Sequence, residues 1–421
     1  MHEQMALHIL HTADWHLGQT FFGYDRDVEQ DVFLTWLVDL LDEQQVDVLL
    51  ITGDVFDVAN PSAAAQRRFY RFLKEANQRN PHLHILITAG NHDSAVRLEA
   101  PNPLLEELNT TVVGLVHRTD EGEIDYGRLL YPLKSADGVR RAWCLAVPYL
   151  RQGDCPAARE KESEPATYVT GVERMFRQLR TYVESRNPSK EPLIAMGHLY
   201  MSGSELSADD PSERVIVGGL EAVTPSAFDG LDYVALGHIH KAQRVGGCDT
   251  IRYAGSPLPM SFSERGYLHQ VLSVKVDQEG GCSVESIPVP VWAELKRIPV
   301  KPLPPAEVLE QLYALPEATE TTDSSRWPYV EVCVLLTEPA PGFRHQVEEA
   351  LQNKAVRLTS IVPSYANQAT DEAANIPLSY TDLQKIDPVD ILRHSFLVKY
   401  NGDLPEDLEA LFNEVIREVS L

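Results

Sequence analysis

Positive charge is in short supply in this chain. In 421 residues, 37 lysines and arginines stand against 62 aspartates and glutamates, a formal net charge of −25. Affinity for nucleic acid comes largely from Lys and Arg displacing counterions at phosphates, so a stand-alone, nonspecific coat on DNA is excluded. Any action on DNA would need bound metal ions or a basic partner subunit to offset the repulsion. Cysteine is scarce too. Cys144, Cys155, Cys248, Cys282 and Cys333 are odd in number, scattered, and never in Cys-x-x-Cys spacing. That excludes a disulfide framework and a cysteine-held zinc site, and predicts free thiols in a reducing compartment. No apolar run approaches the ~20 residues that span a bilayer. The opening Met1-His2-Glu3-Gln4-Met5 lacks the basic-then-apolar plan of a secretory leader, so a cytoplasmic location without membrane contact is expected. Two catalytic signatures are missing as well. There is no Gly-x-Ser-x-Gly and no Gly-x-x-x-x-Gly-Lys-Ser/Thr, so neither a serine nucleophile nor ATP hydrolysis is expected of this chain.

What is present is an α/β pattern with room for two or three domains. Leu7-His8-Ile9-Leu10 reads as a strand. Gln30 to Gln44 has Phe33, Leu34, Leu37, Leu40 and Leu41 at helical spacing. Val46 to Ile51 is a strand, Ser62 to Ala76 a helix with Ser62 as N-cap, and His84 to Ile87 a strand. Leu193 to Met196 and Tyr233 to Leu236 are two more strands. From Pro288 the texture changes: Pro288, Pro290, Pro299, Pro302, Pro304 and Pro305 crowd one interval and read as a linker or domain change. Beyond it the pattern predicts a helix over 305–315, a strand over 329–336, a helix over 343–355 and a strand over 356–362. The tail predicts helices over 387–397 and 405–419, the second with Leu408, Leu411, Phe412, Val415, Ile416 and Val419 on one face. The expected organisation is therefore a domain over 1–290, a small α/β module over 291–365, and a linker with C-terminal helices over 366–421.

Five of the strand-like runs end in the same chemistry. Asp14 and His16 follow the first, Asp54 the second, Asn91 with His92 the third, His198 the fourth, and His238 with His240 the fifth. Taken singly, each is an ordinary turn or cap. Taken together they matter, because sites in open α/β sheets gather at the carboxyl ends of strands. In extended backbone, residues two apart share a face, so His238 and His240 can address one object. Asp14, His16, Asp54, Asn91, His198, His238 and His240 are too many for one tetrahedral ion. They suit two ions roughly 3.5–4 Å apart with Asp54 between them. Imidazole, carboxylate and amide without thiolate favour Mn²⁺, Fe or Zn²⁺ over Ca²⁺ or Cu(I), and Mg²⁺ less.

The series Asp14-Trp15-His16, Gly53-Asp54-Val55-Phe56-Asp57, Gly90-Asn91-His92-Asp93, Gly197-His198 and Gly237-His238-Ile239-His240 resembles that of the calcineurin-like metallophosphoesterases. The stretches HTADWHLGQ, GDVFD, TAGNHDS, ALGHIHKAQ and YAGSPLPMSFSE narrow the likeness to the bacterial exonuclease subunits of that superfamily. It covers residue 7 to about 290 closely and the rest loosely. The resemblance implies a β-sandwich flanked by helices, with a small α/β capping module that recognises DNA. It implies one ion on Asp14, His16, Asp54 and His240, and another on Asp54, Asn91, His198 and His238, with Mn²⁺ the expected metal. His92 would be catalytic without being a ligand. Asp93 would either orient His92 or serve as a turn residue, and Asp57 stays outside the ligand set. Activity on duplex ends and on hairpin or single-stranded DNA is implied. So is a separate coiled-coil ATPase partner docked by the C-terminal helices, and a homodimer within a heterotetramer through Ser62 to Ala76 and Val96 to Leu108. Lys241, Arg244 and Arg265 are either phosphate contacts or solvated charges. The rival readings are a phosphodiesterase or phosphatase acting on nucleotides or phosphoproteins, and a non-enzymatic scaffold that keeps the fold.

Overall fold

A computed structural model describes residues 7–157, 167–205, 222–319, 321–338 and 340–365, with a few further positions between 389 and 412. The chain forms two compact units, 1–293 and 294–421.

The first unit is built on two six-stranded sheets. One runs in the order Cys282–Pro288, Gln270–Val276, Leu7–Thr12, Val48–Thr52, His84–Thr88, Thr110–Val113. Its last four strands are parallel. The other runs Gln243–Val245, Cys248–Tyr253, Tyr233–Gly237, Leu193–His198, Arg140–Ala146, Leu130–Lys134, and the central four of these are parallel. The near-continuous Val, Ile and Leu runs suit parallel strands covered on both faces. Side chains alternate accordingly. Leu7, Ile9, Val48, Leu50 and Leu86 turn inward to share a core with Cys144, Ala195, Tyr233 and Ala235 of the second sheet. Leu10, Leu49, Ile51, Ile85 and Ile87 turn outward, against Phe33, Leu37 and Leu41 of helix Asp27–Glu43 and Phe69, Phe72 and Leu73 of helix Ala63–Arg79. Ser62 caps the latter, its Oγ accepting the Ala65 N–H at 3.1 Å. Each such apolar side chain, fully buried, contributes about 1.5–3 kcal/mol.

Between the sheets sits a polar cluster centred on His11. His11 is wholly buried on the inward face, with Nδ1 3.0 Å from Tyr233 Oη and Nε2 3.1 Å from Thr52 Oγ1. It ties one sheet to the other through a satisfied hydrogen-bond pair.

The second unit carries a three-stranded parallel sheet in the order Leu295–Leu303, Tyr329–Leu336, Arg357–Tyr365. Helices Pro305–Tyr313 and Phe343–Leu351 cover one face, Val308, Leu312, Phe343 and Val347 packing on Val330, Val332 and Val334. The proline-crowded interval is not all linker. Leu295–Leu303 is a strand despite Pro299 and Pro302, because it lies at the sheet edge and its register breaks between Ile298 and Leu303. Edge strands and bulges tolerate the missing N–H. The two expected C-terminal helices fall largely outside the described residues. Among the described residues no helix is long and apolar enough to cross a membrane.

Candidate metal centre

The three adjacent parallel strands Leu7–Thr12, Val48–Thr52 and His84–Thr88 end side by side, and so do Leu193–His198 and Tyr233–Gly237 in the facing sheet. All five endings converge. Asp14, His16, Asp54, His198 and His240 are buried there, with Asn91, His92 and His238 partly exposed. The backbone is bent to do this. Asp14, His16, Asp54 and His238 have φ of 53°, 46°, 49° and 100°, values that non-glycine residues avoid and that cluster at functional sites. Glycine is needed for the approach. A Cβ at Gly53 would stand 2.1 Å from His198 Nδ1, and one at Gly90 2.1 Å from Asp54 Oδ1.

Three donor atoms from three loops meet at one point: Asn91 Oδ1 lies 2.9 Å from His198 Nε2 and 3.0 Å from His238 Nδ1. Asp54 Oδ2 lies 3.2 Å from His198 Nε2 and 3.9 Å from His16 Nε2. Asp14 accepts the His238 backbone N–H at 3.0 Å. The His16 ring is 5.2 Å from that of His240 and 4.8 Å from that of His92. Asp14, Asp54 and His198 offer ligand atoms within 4.8 Å of one another, and so do His16, Asp57 and His92. The second grouping brings in Asp57, which sequence reasoning set outside the ligand set: its Oδ1 is 3.4 Å from His16 Nδ1.

The donor set fits divalent cations. Asp14 and Asp54 are buried carboxylates, and among the described residues their ion-pair partners are histidines, never lysine or arginine. Buried carboxylates without a cation are costly. His16 Nε2 is buried with no hydrogen-bond partner, an orphan that a metal ion satisfies. The electrostatics agree. Burial opposes the charge on His198, but the adjoining Asp54 outweighs it and raises the imidazole to about 9. Burial likewise opposes the charge on Asp54, yet His198 holds this carboxyl below the usual range. Asp14 moves the other way, raised chiefly by burial. His238 is lowered to about 3, chiefly by burial, which leaves its imidazole neutral and able to act as a ligand.

His92 is held separately. Its backbone N–H donates to Asp54 Oδ1 at 2.8 Å, and its Nδ1 lies 2.8 Å from the Asp57 carbonyl. A carbonyl only accepts, so Nδ1 carries the proton and Nε2 is the nitrogen left to exchange one. Asp93 does not orient His92. Its carboxylate accepts three backbone N–H groups, from Gly90 at 2.9 Å, Phe56 at 3.0 Å and Val55 at 3.2 Å. It fastens the loop bearing Asn91 to the loop bearing Asp54. Lys241 pairs with Glu205 and Arg244 with Asp249, while Arg265 is exposed. Sequence reasoning also passed over Glu264, a buried carboxylate 3.0 Å from His240 Nδ1. Its signal in the sequence was its place at the end of the stretch YAGSPLPMSFSE, an acid among apolar and small residues.

Residues 7–242 match the family described as Calcineurin-like phosphoesterase, and 291–399 match Type 5 capsule protein repressor C-terminal domain. Three curated relatives are named as the D subunit of nuclease SbcCD. That of Rhodobacter capsulatus is 38% identical over 87% of this chain and 90% of its own length. That of Escherichia coli K12 is 35% identical over 68% and 69%, and that of Bacillus subtilis 32% identical over 80% and 85%. With its site built from the ends of five strands and its length shared with these relatives, the chain belongs to the calcineurin-like phosphoesterases, in the branch that holds the SbcD components of SbcCD nucleases.

Proposed function

We propose that the chain is a metal-dependent phosphodiesterase that cuts DNA, as an exonuclease on duplex ends and an endonuclease on hairpin or single-stranded DNA. It works with an SbcC-like coiled-coil ATPase in DNA end processing. The observation that carries the reading is the gathering of imidazole, carboxylate and amide side chains at five strand ends around the buried Asp14 and Asp54, whose ion-pair partners among the described residues are histidines and never lysine or arginine. A phosphodiesterase or phosphatase acting on nucleotides or phosphoproteins is not favoured, because the named relatives are nucleases over most of the chain.

Asp14, His16, Asp54 and His240 would hold one divalent ion, and Asp54, Asn91, His198 and His238 the other, with Mn²⁺ the metal we favour. When bound, such a pair supplies Lewis-acid activation of water and of the phosphoryl oxygens. The chain's own residues do the rest. Asp54 is kept ionised beside both positions, with His198 and His16 on either side. Asp93 holds the two loops in register. His92, with Nδ1–H fixed on Asp57, presents Nε2 to stabilise charge on the phosphate or to pass a proton to the leaving oxygen.

The acidic chain needs help to hold a polyanion, and the ATPase partner and the bound cations provide it. The C-terminal helices are the proposed dock, and a homodimer within a heterotetramer the proposed assembly, in the cytoplasm. Purified protein with Mn²⁺ and the ATPase should cut labelled duplex DNA. Cutting a cyclic nucleotide and leaving DNA intact would reverse the substrate assignment. Truncation at Asp387 should abolish ATPase binding; undiminished binding would sink the dock.

A further inference from the structure

Glu264 lies outside every strand-end motif, on the short turn Phe262–Gly266, yet it is 0% exposed. Its Oε1 sits 3.0 Å from His240 Nδ1. Its Oε2 accepts the Met260 N–H at 2.9 Å and lies 3.4 Å from Ser256 Oγ. Among the described residues its ion-pair partner is His240 alone. A buried carboxylate whose ion-pair partner among the described residues is an imidazole is expensive to keep. Gln would satisfy the loop, so an anion here points to something beyond folding.

The other rings are backed differently. His198 Nδ1 lies 2.9 Å from the Thr52 carbonyl, and His92 Nδ1 2.8 Å from the Asp57 carbonyl. The Asp57 carboxylate near His16 is partly exposed and stands at 3.4 Å. Asp14 Oδ1 stands 3.9 Å from His198 Nδ1, beyond hydrogen-bond reach, so among the described residues His240 is the ring with a fully buried carboxylate at hydrogen-bond distance behind it. The loop that carries this carboxylate cannot drift. The Ser256 N–H donates to the His240 carbonyl at 3.1 Å, and the buried Arg26 donates to the Pro259 carbonyl at 2.6 Å.

We propose that Glu264 is a positioning residue for the metal centre. Its carboxylate accepts the Nδ1–H of His240, fixes that tautomer and ring angle, and leaves Nε2 as the electron-pair donor to one divalent cation. A carboxylate behind a ligating imidazole makes it a stronger donor, and loss of such a partner costs about 10–100-fold in metal affinity. The consequence is asymmetric. The ion shared by Asp14, His16, Asp54 and His240 is strengthened by Glu264, and the ion on Asn91, His198 and His238 is not. This rests on the two-ion reading given under the proposed function.

The test is a Mn²⁺ titration of the full chain without DNA, followed by calorimetry and by the electron-paramagnetic signal of free manganese. Wild type should bind two ions. Glu264→Gln, which keeps the shape and a loop acceptor, should weaken one of the two affinities about 10–100-fold and leave the other unchanged. Ser256→Ala, which removes a loop bond without touching His240, should keep both. Glu264→Asp, which retains the anion at shorter reach, should fall between. Two wild-type affinities in Glu264→Gln would overturn the proposal. So would an equal loss at both sites accompanied by a lower melting temperature in the absence of metal, since that is a folding effect. Should Glu264→Gln not fold, a Glu264→Asp variant weakened at one site relative to Ser256→Ala supports the role, and equality overturns it. Wild-type protein that binds no manganese would instead remove the two-ion reading itself.

Discussion

Gly90 is the place where the metal centre can be displaced without touching a donor atom. An alanine there puts Cβ 2.1 Å from Asp54 Oδ1, 2.3 Å from Asp54 N and 2.6 Å from Asp54 Cγ. Reaching even 3.0 Å requires a movement of 3.0 − 2.1 = 0.9 Å. Asp54 has nowhere to retreat. Its Oδ2 is 3.2 Å from His198, its Oδ1 accepts the His92 N–H, and its carbonyl accepts the His16 N–H at 3.0 Å. Whatever moves drags at least two neighbouring donors with it. Misplacement by about 1 Å in a catalytic constellation costs roughly 10²-fold in rate, and overpacking of this kind costs about 1–3 kcal/mol of stability. Gly90→Ala should therefore lower Mn²⁺-dependent cleavage of labelled duplex DNA about 10²-fold, while urea unfolding shifts only modestly. Gly138→Ala is the control. Gly138 has φ of 79° with nothing within 4 Å of an added Cβ, so it should lose about 1–2 kcal/mol to backbone strain and no activity. Wild-type cleavage by Gly90→Ala would refute the close packing of the second and third loops on which the centre depends.

Three other outcomes are expected. His92→Asn should cut DNA about 10²–10⁴-fold more slowly and still bind manganese by mass spectrometry or calorimetry; loss of metal would make His92 a ligand. Asp93→Ala leaves three buried N–H groups without their acceptor and should cost about 3–5 kcal/mol, so an unchanged urea midpoint would contradict its loop-fastening role. His11 concerns pH: burial lowers its imidazole to about 3, from an ordinary 6.5. The unfolded chain then binds the extra proton, so stability is full above pH 6.5 and is lost as pH falls from there toward 3. Between pH 7.5 and 5 the loss is about 2 kcal/mol, and it should be absent from His11→Gln. Parallel pH profiles for the two proteins would show that His11 does not contribute.

Much of the centre was legible because its parts are local. Whether a run such as Val48–Thr52 forms a strand, and whether Gly53-Asp54 follows as a turn, depends on apolar periodicity and on a few backbone angles. The helix expected over Ser62 to Ala76 showed itself through Ser62 as N-cap, and it runs Ala63–Arg79. The proline-rich interval marked the change of unit at 293/294, but the strand Leu295–Leu303 within it was not legible, because a proline excludes a central strand but not an edge strand, and edge position is decided by which strands pair. The role expected of Asp93 changed for a similar reason. Its neighbour in sequence is His92, but its carboxylate reaches the backbone of 55 and 56, on a loop thirty-odd residues away.

By itself, then, the order of residues determined which side chains end each strand and hence the chemical type of the site: imidazoles, carboxylates and an amide, with no thiolate. Only the tertiary structure decided which of them meet. Strand order sets three loops of one sheet against two of the other, and this brings Asn91 to His198 and His238, Asp57 to His16, and Glu264 to His240. Local propensity acts over a few residues along the chain, whereas those pairings span from 24 to 147 residues. They are set by the packing of the two sheets, which no short stretch of sequence contains.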